Sequence, residues 1–257
     1  MPLDYIKVDI SDYVATVVMD RPPVNAQNAQ FRYELMQVFD SFNDREDVRV
    51  AVLTGAGKVF CAGADIKERG RIIKEPGDYA RHNRTAREYM NCIRECTIPV
   101  IAAVNGAALG AGFALMAACD IMLASDNAVF GMPEIDVGLA GGAAMLSHLV
   151  GKSRGRRIIF TGDRIPAQEM YRIGVIEACV APDALMEEAM KIARTIASKS
   201  PLAMRLAKQA YNVCENMPER DGYRFEQDIT VQLSHTEDAK EAQRAFAEKR
   251  KPVFKGR

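Results

Sequence analysis

The sequence predicts an α/β core with parallel strand pairing, followed by an all-helical C-terminal segment. Short apolar runs rich in β-branched residues alternate with helical patterns in the N-terminal part of the chain, which is typical of a parallel sheet. Glycine-rich turns follow several of these runs, and past about residue 184 only amphipathic helical patterns remain. The 257 residues, 48% of them hydrophobic, can bury a sizeable core.

The N-terminal elements follow from alternation, helical spacing and turn residues. A polar turn joins two alternating runs, Arg21-Pro22-Pro23 ends the second, and apolar residues then recur at helical spacing. A β-branched run closed by Thr54-Gly55-Ala56-Gly57 indicates a strand buried on both faces. The sequence therefore predicts two strands, a helix and a third strand at Tyr5–Asp9, Val14–Met19, Gln27–Phe42 and Val48–Leu53.

The central part of the chain repeats the pattern of strand, small-residue turn and helix. After the tight turn at residues 60–65, the sequence predicts a long helix, a strand, a short helix and a second strand at Tyr79–Glu95, Pro99–Val104, Phe113–Cys119 and Ile121–Ala124. The turn Gly106–Gly112 leads into the short helix. Because the residues of this turn are small, no side chain covers the first N–H groups of that helix, and these groups stay accessible to a ligand.

The C-terminal segment is predicted to be entirely helical. Pro201 fits the first turn of a helix, and Thr236 precedes the acidic pair Glu237 and Asp238, which suits a helix start. The segment is expected to form either a lid on the core or an oligomerisation surface. Its four predicted helices are Ala184–Ser200, Pro201–Glu215, Glu219–Ser234 and Thr236–Lys249.

Composition excludes several classes of function. Lysine plus arginine equals aspartate plus glutamate at 34 each, so neither a nucleic acid nor a membrane partner is indicated. The six cysteines form no CxxC pair and no zinc-binding spacing, and we expect reduced core thiols and no metal. The N-terminus has no apolar signal core and no apolar run is long enough to span a membrane, which predicts a cytoplasmic protein.

Two glycine-rich turns and one carboxylate carry the chemical signal. Backbone N–H groups from the turns at Ala62-Gly63-Ala64 and residues 106–112 can together form an oxyanion hole, and Glu134 follows Gly131-Met132-Pro133 near the second turn. An enzyme that stabilises an enolate and moves a proton needs these parts. The alternatives are turns that only allow close helix packing, and a surface glutamate. A phosphate-binding loop is poorly supported, because GxxxxGK[ST] is absent.

Five motifs, in order along nearly the whole chain, resemble the crotonase (enoyl-CoA hydratase/isomerase) superfamily. They are the segments at residues 60–67, 99–106, 130–134, 161–163 and 245–250. The resemblance implies a crotonase (ClpP-like) spiral of ββα units with a C-terminal helical trimerisation region. It divides the chain into a core with the acyl-CoA site at residues 1–183 and a helical oligomerisation or lid region at 184–257, and it implies a homotrimer or hexamer.

The resemblance assigns the reaction site to three residues. The N–H groups of Ala64 and Ala111 are implied to hold the thioester carbonyl, and Glu134 is implied to be the acid/base. Many members have glycine where this chain has Ala111. Since the backbone binds the oxygen, alanine can serve.

The resemblance also assigns the coenzyme A contacts. Ala62 is implied to form part of the adenine pocket, and the adjoining Asp65 and Ile66 belong to the same substrate-binding segment. Phe246 and Lys249 are implied to contact the nucleotide, commonly across a subunit boundary, with Lys249 as a charge for phosphate. No cofactor is implied apart from the coenzyme A of the thioester substrate.

The sequence departs from the family pattern at two places. Hydratases of the family carry a second glutamate where this chain has Ala114, and the turn at residues 137–144 lacks the usual Pro-Gly-Ala-Gly-Gly run and is about three residues short. A single carboxylate favours enoyl-CoA isomerisation. The alternatives are an enoyl-CoA hydratase and a catalytically silent acyl-CoA-binding protein.

The resemblance implies that a cationic group between Asp65 and Arg87 borders the acyl pocket. It can receive an acyl carboxylate, although a solvated helix face is the favoured interpretation. Its members are Arg69, Arg71, Arg81, His82, Arg84 and Arg87.

Overall fold

The computed structural model describes residues 3–257, except for the side chain of Arg69. Its strands form a six-stranded sheet and a four-stranded sheet. The strands are β1 (Ile6–Ser11), β2 (Val14–Met19), β3 (Val50–Gly55), β4 (Val59–Cys61), β5 (Val100–Val104), β6 (Ala107–Leu109), β7 (Ile121–Ser125), β8 (Val129–Gly131), β9 (Ile165–Pro166) and β10 (Ala178–Val180).

The helices lie between and after these strands, and a short 3₁₀ helix spans Pro133–Val137. The α-helices are α1 (Ala29–Phe42), α2 (Ile66–Ile72), α3 (Asp78–Arg94), α4 (Ala111–Ala117), α5 (Ala143–Leu149), α6 (Lys152–Thr161), α7 (Ala167–Arg172), α8 (Leu185–Ala197), α9 (Pro201–Cys214), α10 (Glu219–Ser234) and α11 (Glu237–Ala247).

The larger sheet has the strand order β1-β2-β3-β5-β7-β10, and all its pairings except the β1–β2 hairpin are parallel. Because side chains alternate along a strand, β3 buries Ala51 and Leu53 in the main core and Val50 and Val52 in a second apolar layer. The predicted parallel α/β core is therefore confirmed, with its central strand buried on both faces.

The smaller sheet repeats a unit three times along the chain. Each of β3, β5 and β7 is followed, after a turn of two or three residues, by a three-residue strand of the second sheet, and β4, β6 and β8 pair in parallel. A methyl group at Gly106 would lie 2.1 Å from the carbonyl oxygen of Lys58, so adjacent repeats touch through backbone. This succession of ββα units is the spiral that the resemblance implies.

The predicted elements of the N-terminal and C-terminal parts have the right type, with ends shifted by a few residues. The hairpin turn reduces to Asp12 and Tyr13, both at positive φ (51° and 66°), and the first helix begins two residues late behind the cap Asn28. The sequence analysis assigned no element to β4, β6, β8 or β9, or to residues 143–172. The strands of the second sheet have only two or three residues each, too few for an alternation to be seen.

The first C-terminal helix packs on the larger sheet of its own chain. Leu185 of α8 is buried with Val50 and Ile101, and Met190, Ile192 and Ile196 are partly buried in the same layer. Of the two roles expected for the C-terminal segment, a cover on the core or an oligomerisation surface, the apolar stripe of α8 serves the first. The proposed boundary between residues 183 and 184 stays a prediction.

Two buried polar side chains hold the later helices, one of them to the core and the other to the helical segment and the C-terminal tail. Lys208 of α9 donates to the carbonyl oxygens of Ile93 and Ile98 (3.1 and 3.0 Å) and pairs with Asp120 at 2.8 Å. Asp238 of α11 accepts from the Ser200 hydroxyl at 2.6 Å and from two backbone N–H groups of the C-terminal tail. These bonds fix the helical segment without using its outer face.

Large apolar side chains remain exposed on the outer helices. They include Phe160, Tyr211, Tyr223, Val231 and Phe246, exposed by 70%, 75%, 62%, 60% and 88%. No helix in the described residues has the length and apolar character needed to cross a membrane.

Candidate active site

Three parallel strand ends bring the predicted site residues to one edge of the smaller sheet. β4 ends at Cys61, β6 at Leu109 and β8 at Gly131, and the chain then enters Ala64, Ala111 and Glu134 respectively. Because β4, β6 and β8 are neighbours in parallel, their carboxyl ends lie together. The topology therefore places the two glycine-rich turns and the carboxylate in one region.

Ala64 presents an unpaired backbone N–H. It forms a parallel bridge with Gln27, in which Gln27 N donates to Gly63 O (2.8 Å) and Asp65 N donates to Gln27 O (3.0 Å). A parallel bridge uses the groups that flank the bridged residue, so the Ala64 N–H points away from Gln27. Residues 3–257 offer it no acceptor.

Ala111 presents a second unpaired N–H at the start of α4, two residues before the predicted helix start. The first hydrogen bond of that helix runs from Ala114 N to Gly110 O at 3.0 Å, which leaves Ala111 outside the helical ladder. The described residues also give its N–H no acceptor.

The two turns touch each other through backbone. A methyl group at Gly63, where φ is +102°, would lie 2.8 Å from Leu109 O and 3.4 Å from Ala111 N. A methyl group at Gly112 would lie 2.1 Å from Cys61 O. Only glycine permits this approach, and the two unpaired N–H groups consequently belong to contacting segments. This is the arrangement that an oxyanion hole needs.

Glu134 lies against the second turn. Pro133 begins the 3₁₀ helix and Glu134 follows in its first turn, while Leu139 N donates to Glu134 O at 2.9 Å and closes the loop behind it. A methyl group at Gly110 would lie 2.6 Å from Glu134 Oε1. The carboxylate therefore lies against Gly110, the residue that immediately precedes Ala111 in the chain.

The carboxyl group of Glu134 is partly buried and poorly hydrogen-bonded. Its Oε2 atom is buried without a hydrogen-bond partner among the described residues. Burial raises the pKa of Glu134 above its ordinary value, and only its own backbone N–H acts in the opposite direction. A raised pKa makes the carboxylate a stronger base, which suits a group that accepts a proton and returns it.

Ala114 lies in the first turn of α4, close along the helix to the carboxylate's contact at Gly110. Its N–H donates to the carbonyl oxygen of Gly110, the residue that precedes α4, at 3.0 Å, so Ala114 follows Gly110 by one helical turn. Ala114 is half-buried and supplies only a methyl group. Glu134 is accordingly the carboxylate that α4 and the 3₁₀ helix place beside the two N–H groups.

The Asp65 side chain forms an ion pair and caps a helix within its own segment of the fold. Asp65 pairs with Arg21 at 2.8 Å and accepts from Glu68 N at 3.1 Å, capping α2. The bond from Glu68 N, followed by Arg21, lowers the pKa of Asp65. Ile66 begins α2 with its side chain 58% exposed, and Ala62 N donates to Val24 O at 3.0 Å.

Phe246 and Lys249 lie on a different part of the surface. Phe246 is at the exposed end of α11, and Lys249 follows that helix at a positive φ of 53°. Lys249 N donates to Phe246 O at 3.2 Å, which closes the end of the helix. No hydrogen bond in the described residues links either of them to the two turns or to Glu134.

The cationic group falls on α2 and α3, mostly in solvent. Arg71, Arg84 and Arg87 are exposed, Arg81 pairs with Asp78 at 3.1 Å, and the Arg69 side chain lies outside the described residues. His82 is half-buried next to Tyr79. Within residues 3–257, no cluster of three histidine, cysteine or acidic side chains is arranged to hold a metal ion.

Sequence reasoning missed two residues that support the turns. Asn25, at a positive φ of 52°, donates to the carbonyl oxygens of Val59 (2.8 Å) and Phe60 (3.2 Å) and holds its loop against β4. Gln27 joins the first turn to α4, although helical spacing had assigned it to the first helix. The sequence offered one indication of this role, namely an asparagine two residues before a glutamine that proves to be buried.

Comparison with known proteins identifies the family to which the chain belongs. Residues 9–257 match the model of the enoyl-CoA hydratase/isomerase family. A carnitinyl-CoA dehydratase of Citrobacter koseri is 36% identical over 252 residues, covering 95% of each chain. The crystal structure of an enoyl-CoA hydratase from Bacillus anthracis superposes with a TM-score of 0.94 at 35% identity, covering 99% of this chain and 100% of the other.

A second solved structure gives the same result at lower identity. An enoyl-CoA hydratase of Mycobacterium smegmatis is 29% identical, with a TM-score of 0.92 and 99% of each chain covered. The chain belongs to the enoyl-CoA hydratase/isomerase family, within the crotonase superfamily.

Proposed function

We propose that this protein isomerises an enoyl-CoA thioester by moving its double bond from C3–C4 to C2–C3. The observation that carries the proposal is the single carboxylate of the site, with Glu134 beside the Ala111 N–H and a methyl group at Ala114. A 1,3-proton shift needs one base and an oxyanion hole. Addition of water in this family uses two carboxylates to hold the water molecule.

The reaction balances with these groups alone. The thioester oxygen accepts hydrogen bonds from Ala64 N–H and Ala111 N–H, which makes the C2 protons more acidic. Glu134 removes one proton from C2, and the electron pair spreads over the dienolate. Glu134 then returns the proton to C4, so that the carboxylate is regenerated and the double bond lies between C2 and C3.

The environment of Glu134 suits both halves of this cycle. A carboxyl group with an ordinary pKa is a weak base toward carbon, whereas burial raises the pKa of Glu134 and brings it closer to working pH. The Oε2 atom has no hydrogen-bond donor among the described residues to stabilise its charge, which adds to the effect of burial. A catalytically silent acyl-CoA-binding protein has no use for a partly buried carboxylate without a partner.

Purified protein tests the proposal directly with paired substrates. A 3-enoyl-CoA is incubated with the protein, and formation of the conjugated 2-enoyl thioester is followed by its ultraviolet absorption. The corresponding 2-enoyl-CoA is assayed for loss of the same absorption by hydration. We expect isomerisation to be the faster reaction, and a hydration rate that exceeds it at every chain length tested would overturn the assignment.

Hydration or dehydration is the second candidate function. The relative from Citrobacter koseri is named a carnitinyl-CoA dehydratase, and the two solved relatives are named enoyl-CoA hydratases. This chain can follow them if another group positions the water molecule. The half-buried methyl group of Ala114 marks the place where a second carboxylate is missing.

The substitution Ala114→Glu is expected to raise hydration of a 2-enoyl-CoA relative to isomerisation. A carboxylate one helical turn after Gly110 supplies the second acceptor for water. Overpacking of the helix is expected to cost about 1–3 kcal/mol of stability. Ala114→Gln has nearly the same volume without the charge and is the matched control. A folded Ala114→Glu protein with an unchanged ratio of the two rates means that the missing carboxylate is not limiting.

We further propose that coenzyme A is held between Ala62 and Ile66 of one subunit and Phe246 and Lys249 of a neighbour, within a trimer or a pair of trimers. Supporting this, both residues at the end of α11 are exposed, and neither side chain takes part in a hydrogen bond or ion pair found among the described residues. The large exposed side chains of α10, Tyr223 and Val231, supply apolar surface for the assembly. Light scattering at micromolar concentration tests the trimer.

The substitution Lys249→Ala is expected to weaken coenzyme A binding by about 1–2 kcal/mol, because one charge-assisted hydrogen bond to phosphate is lost. The difference should shrink at high salt, since screening weakens an exposed contact in the wild type as well. Titration calorimetry at low and high salt measures it. Lys199→Ala, at another exposed lysine, is the control. Wild-type affinity in Lys249→Ala at low salt contradicts the assignment.

A further inference from the structure

Gln27 is a buried polar residue beside the two turns. It is 1% exposed and precedes Asn28, the residue that caps α1. A glutamine so deeply buried is uncommon unless its amide is used, since leaving the amide unpaired is unfavourable. Its contacts therefore indicate what it does.

The backbone of Gln27 holds the first turn. Its N–H and C=O bond to Gly63 O and Asp65 N, at 2.8 and 3.0 Å, on either side of Ala64. These two bonds fix the orientation of the Ala64 peptide plane, and with it the direction of the Ala64 N–H.

The side chain of Gln27 holds the second turn. Its Nε2 atom donates to Ala111 O at 3.0 Å and to Cys61 Sγ at 3.3 Å. The Cys61 thiol in turn donates to Asn25 O at 3.0 Å, so the sulfur is available as an acceptor. Gln27 consequently bonds to both residues that flank Ala64 and to Ala111 itself.

The oxygen of the Gln27 amide lowers the stability of the fold. Gln27 Oε1 is buried and has no hydrogen-bond partner among residues 3–257. An unpaired buried acceptor lowers stability, and an apolar side chain of the same length would avoid that cost. The amide therefore combines two hydrogen bonds from Nε2 with one unpaired acceptor, so its net contribution to stability is small while it fixes the position of Ala111.

We propose that Gln27 is a positioning residue for the oxyanion hole, fixing the Ala111 N–H relative to the Ala64 N–H. The inference rests on the proposed function, because it presumes that these two groups bind the thioester oxygen. Gln27 does not touch the substrate. It acts through Ala111, whose carbonyl group it holds in place while the N–H of the same residue faces the site.

The substitution Gln27→Met tests this inference, since methionine has a similar length and keeps the backbone bridge. We expect kcat to fall by about 10- to 100-fold, as a misplaced donor loses much of its effect, with KM changed by less than about 3-fold. Thermal stability should change little, because removal of the unpaired Oε1 offsets the loss of the two hydrogen bonds from Nε2. Gln168→Met removes an exposed amide that donates to Asp126 O and is the control.

A chromophoric substrate analogue supplies the second readout. An enoyl-CoA whose double bond is conjugated to an electron-donating aromatic ring absorbs at longer wavelength when its thioester carbonyl is polarised. Wild-type protein and Gln168→Met should give the full shift, and Gln27→Met a smaller one at saturation. Gln27→Leu is measured in parallel as a second apolar variant.

The outcomes separate this inference from the function on which it rests. A wild-type protein that gives neither shift nor turnover overturns both. A normal shift and kcat in Gln27→Met overturn the positioning role alone. Unfolding of both the methionine and the leucine variants also overturns it, because Gln27 would then be required for the fold itself.

Discussion

Replacing Glu134 with glutamine is expected to lower the kcat for enoyl-CoA isomerisation by about 10²- to 10⁴-fold, the usual contribution of a positioned acid/base. The amide keeps the shape of the side chain and its place against Gly110, but it cannot remove a proton from C2. Binding of the thioester should change little, because the oxyanion hole and the coenzyme A contacts are intact. Steady-state kinetics on the best 3-enoyl-CoA measures the loss.

Glu177→Gln is the matched control, since it makes the same chemical change at an exposed glutamate outside the three segments that carry the site residues. Turnover by Glu134→Gln equal to that of the wild type would remove Glu134 from the mechanism. A large loss of affinity with an unchanged kcat would instead assign it to substrate binding.

The pH dependence of the wild type and of Glu134→Gln follows from the direction in which the pKa of Glu134 is shifted. The carboxylate is the active base, so kcat/KM should fall as pH drops through the pKa of Glu134, and burial places this fall above the ordinary value of 4.5. The unfolded chain loses this proton at a lower pH than the folded chain. Stability therefore decreases as pH rises from the unfolded pKa to the folded one. Glu134→Gln should be more stable than the wild type at neutral pH, and the difference should vanish below about pH 4.

The resemblance assigned Ala64, Ala111 and Glu134 to the reaction site, and the structure brings their segments to one edge of the smaller sheet, while their roles stay predictions. Ala64, Ala111 and Glu134 are placed by short motifs of glycine, alanine and proline, and the backbone demands of those motifs are local. Gly63 and Gly110 both have positive φ, and Gly63 approaches the backbone oxygen of Leu109 more closely than a larger residue permits. The turns were therefore evident from local sequence, whereas the roles of the three residues came from the family resemblance.

Contacts between distant segments could not be predicted. The smaller sheet consists of two- and three-residue strands, whose pairing depends on the turns of the spiral and not on any pattern within them. The apolar stripe of α8 was open to two interpretations, a subunit interface or a cover for the sheet, and packing on Val50 and Ile101 decides for the second. Gln27 was assigned to a helix because a bond to Ala111, far along the chain, has no local signal.

Replacing Gly63 with alanine is expected to lower kcat by about 10²- to 10³-fold, comparable to the loss of one oxyanion donor. The added methyl group would lie 2.8 Å from Leu109 O, so the two turns must move apart. Ala64 N–H and Ala111 N–H can then no longer reach the same oxygen. Part of any effect will also come from strain, because φ at this position is +102°.

Gly77→Ala separates the strain from the contact. Gly77 has a φ of +94°, nearly that of Gly63, but a methyl group there meets no atom within 4 Å. Both variants should lose stability through the unfavourable backbone conformation, while only Gly63→Ala should lose turnover and the polarisation of a chromophoric enoyl-CoA. Thermal unfolding and kinetics on the two proteins are measured side by side. If Gly63→Ala folds and turns over substrate as fast as Gly77→Ala, the contact between the two turns does not set the oxyanion hole, and the roles given to Ala64 and Ala111 fail together.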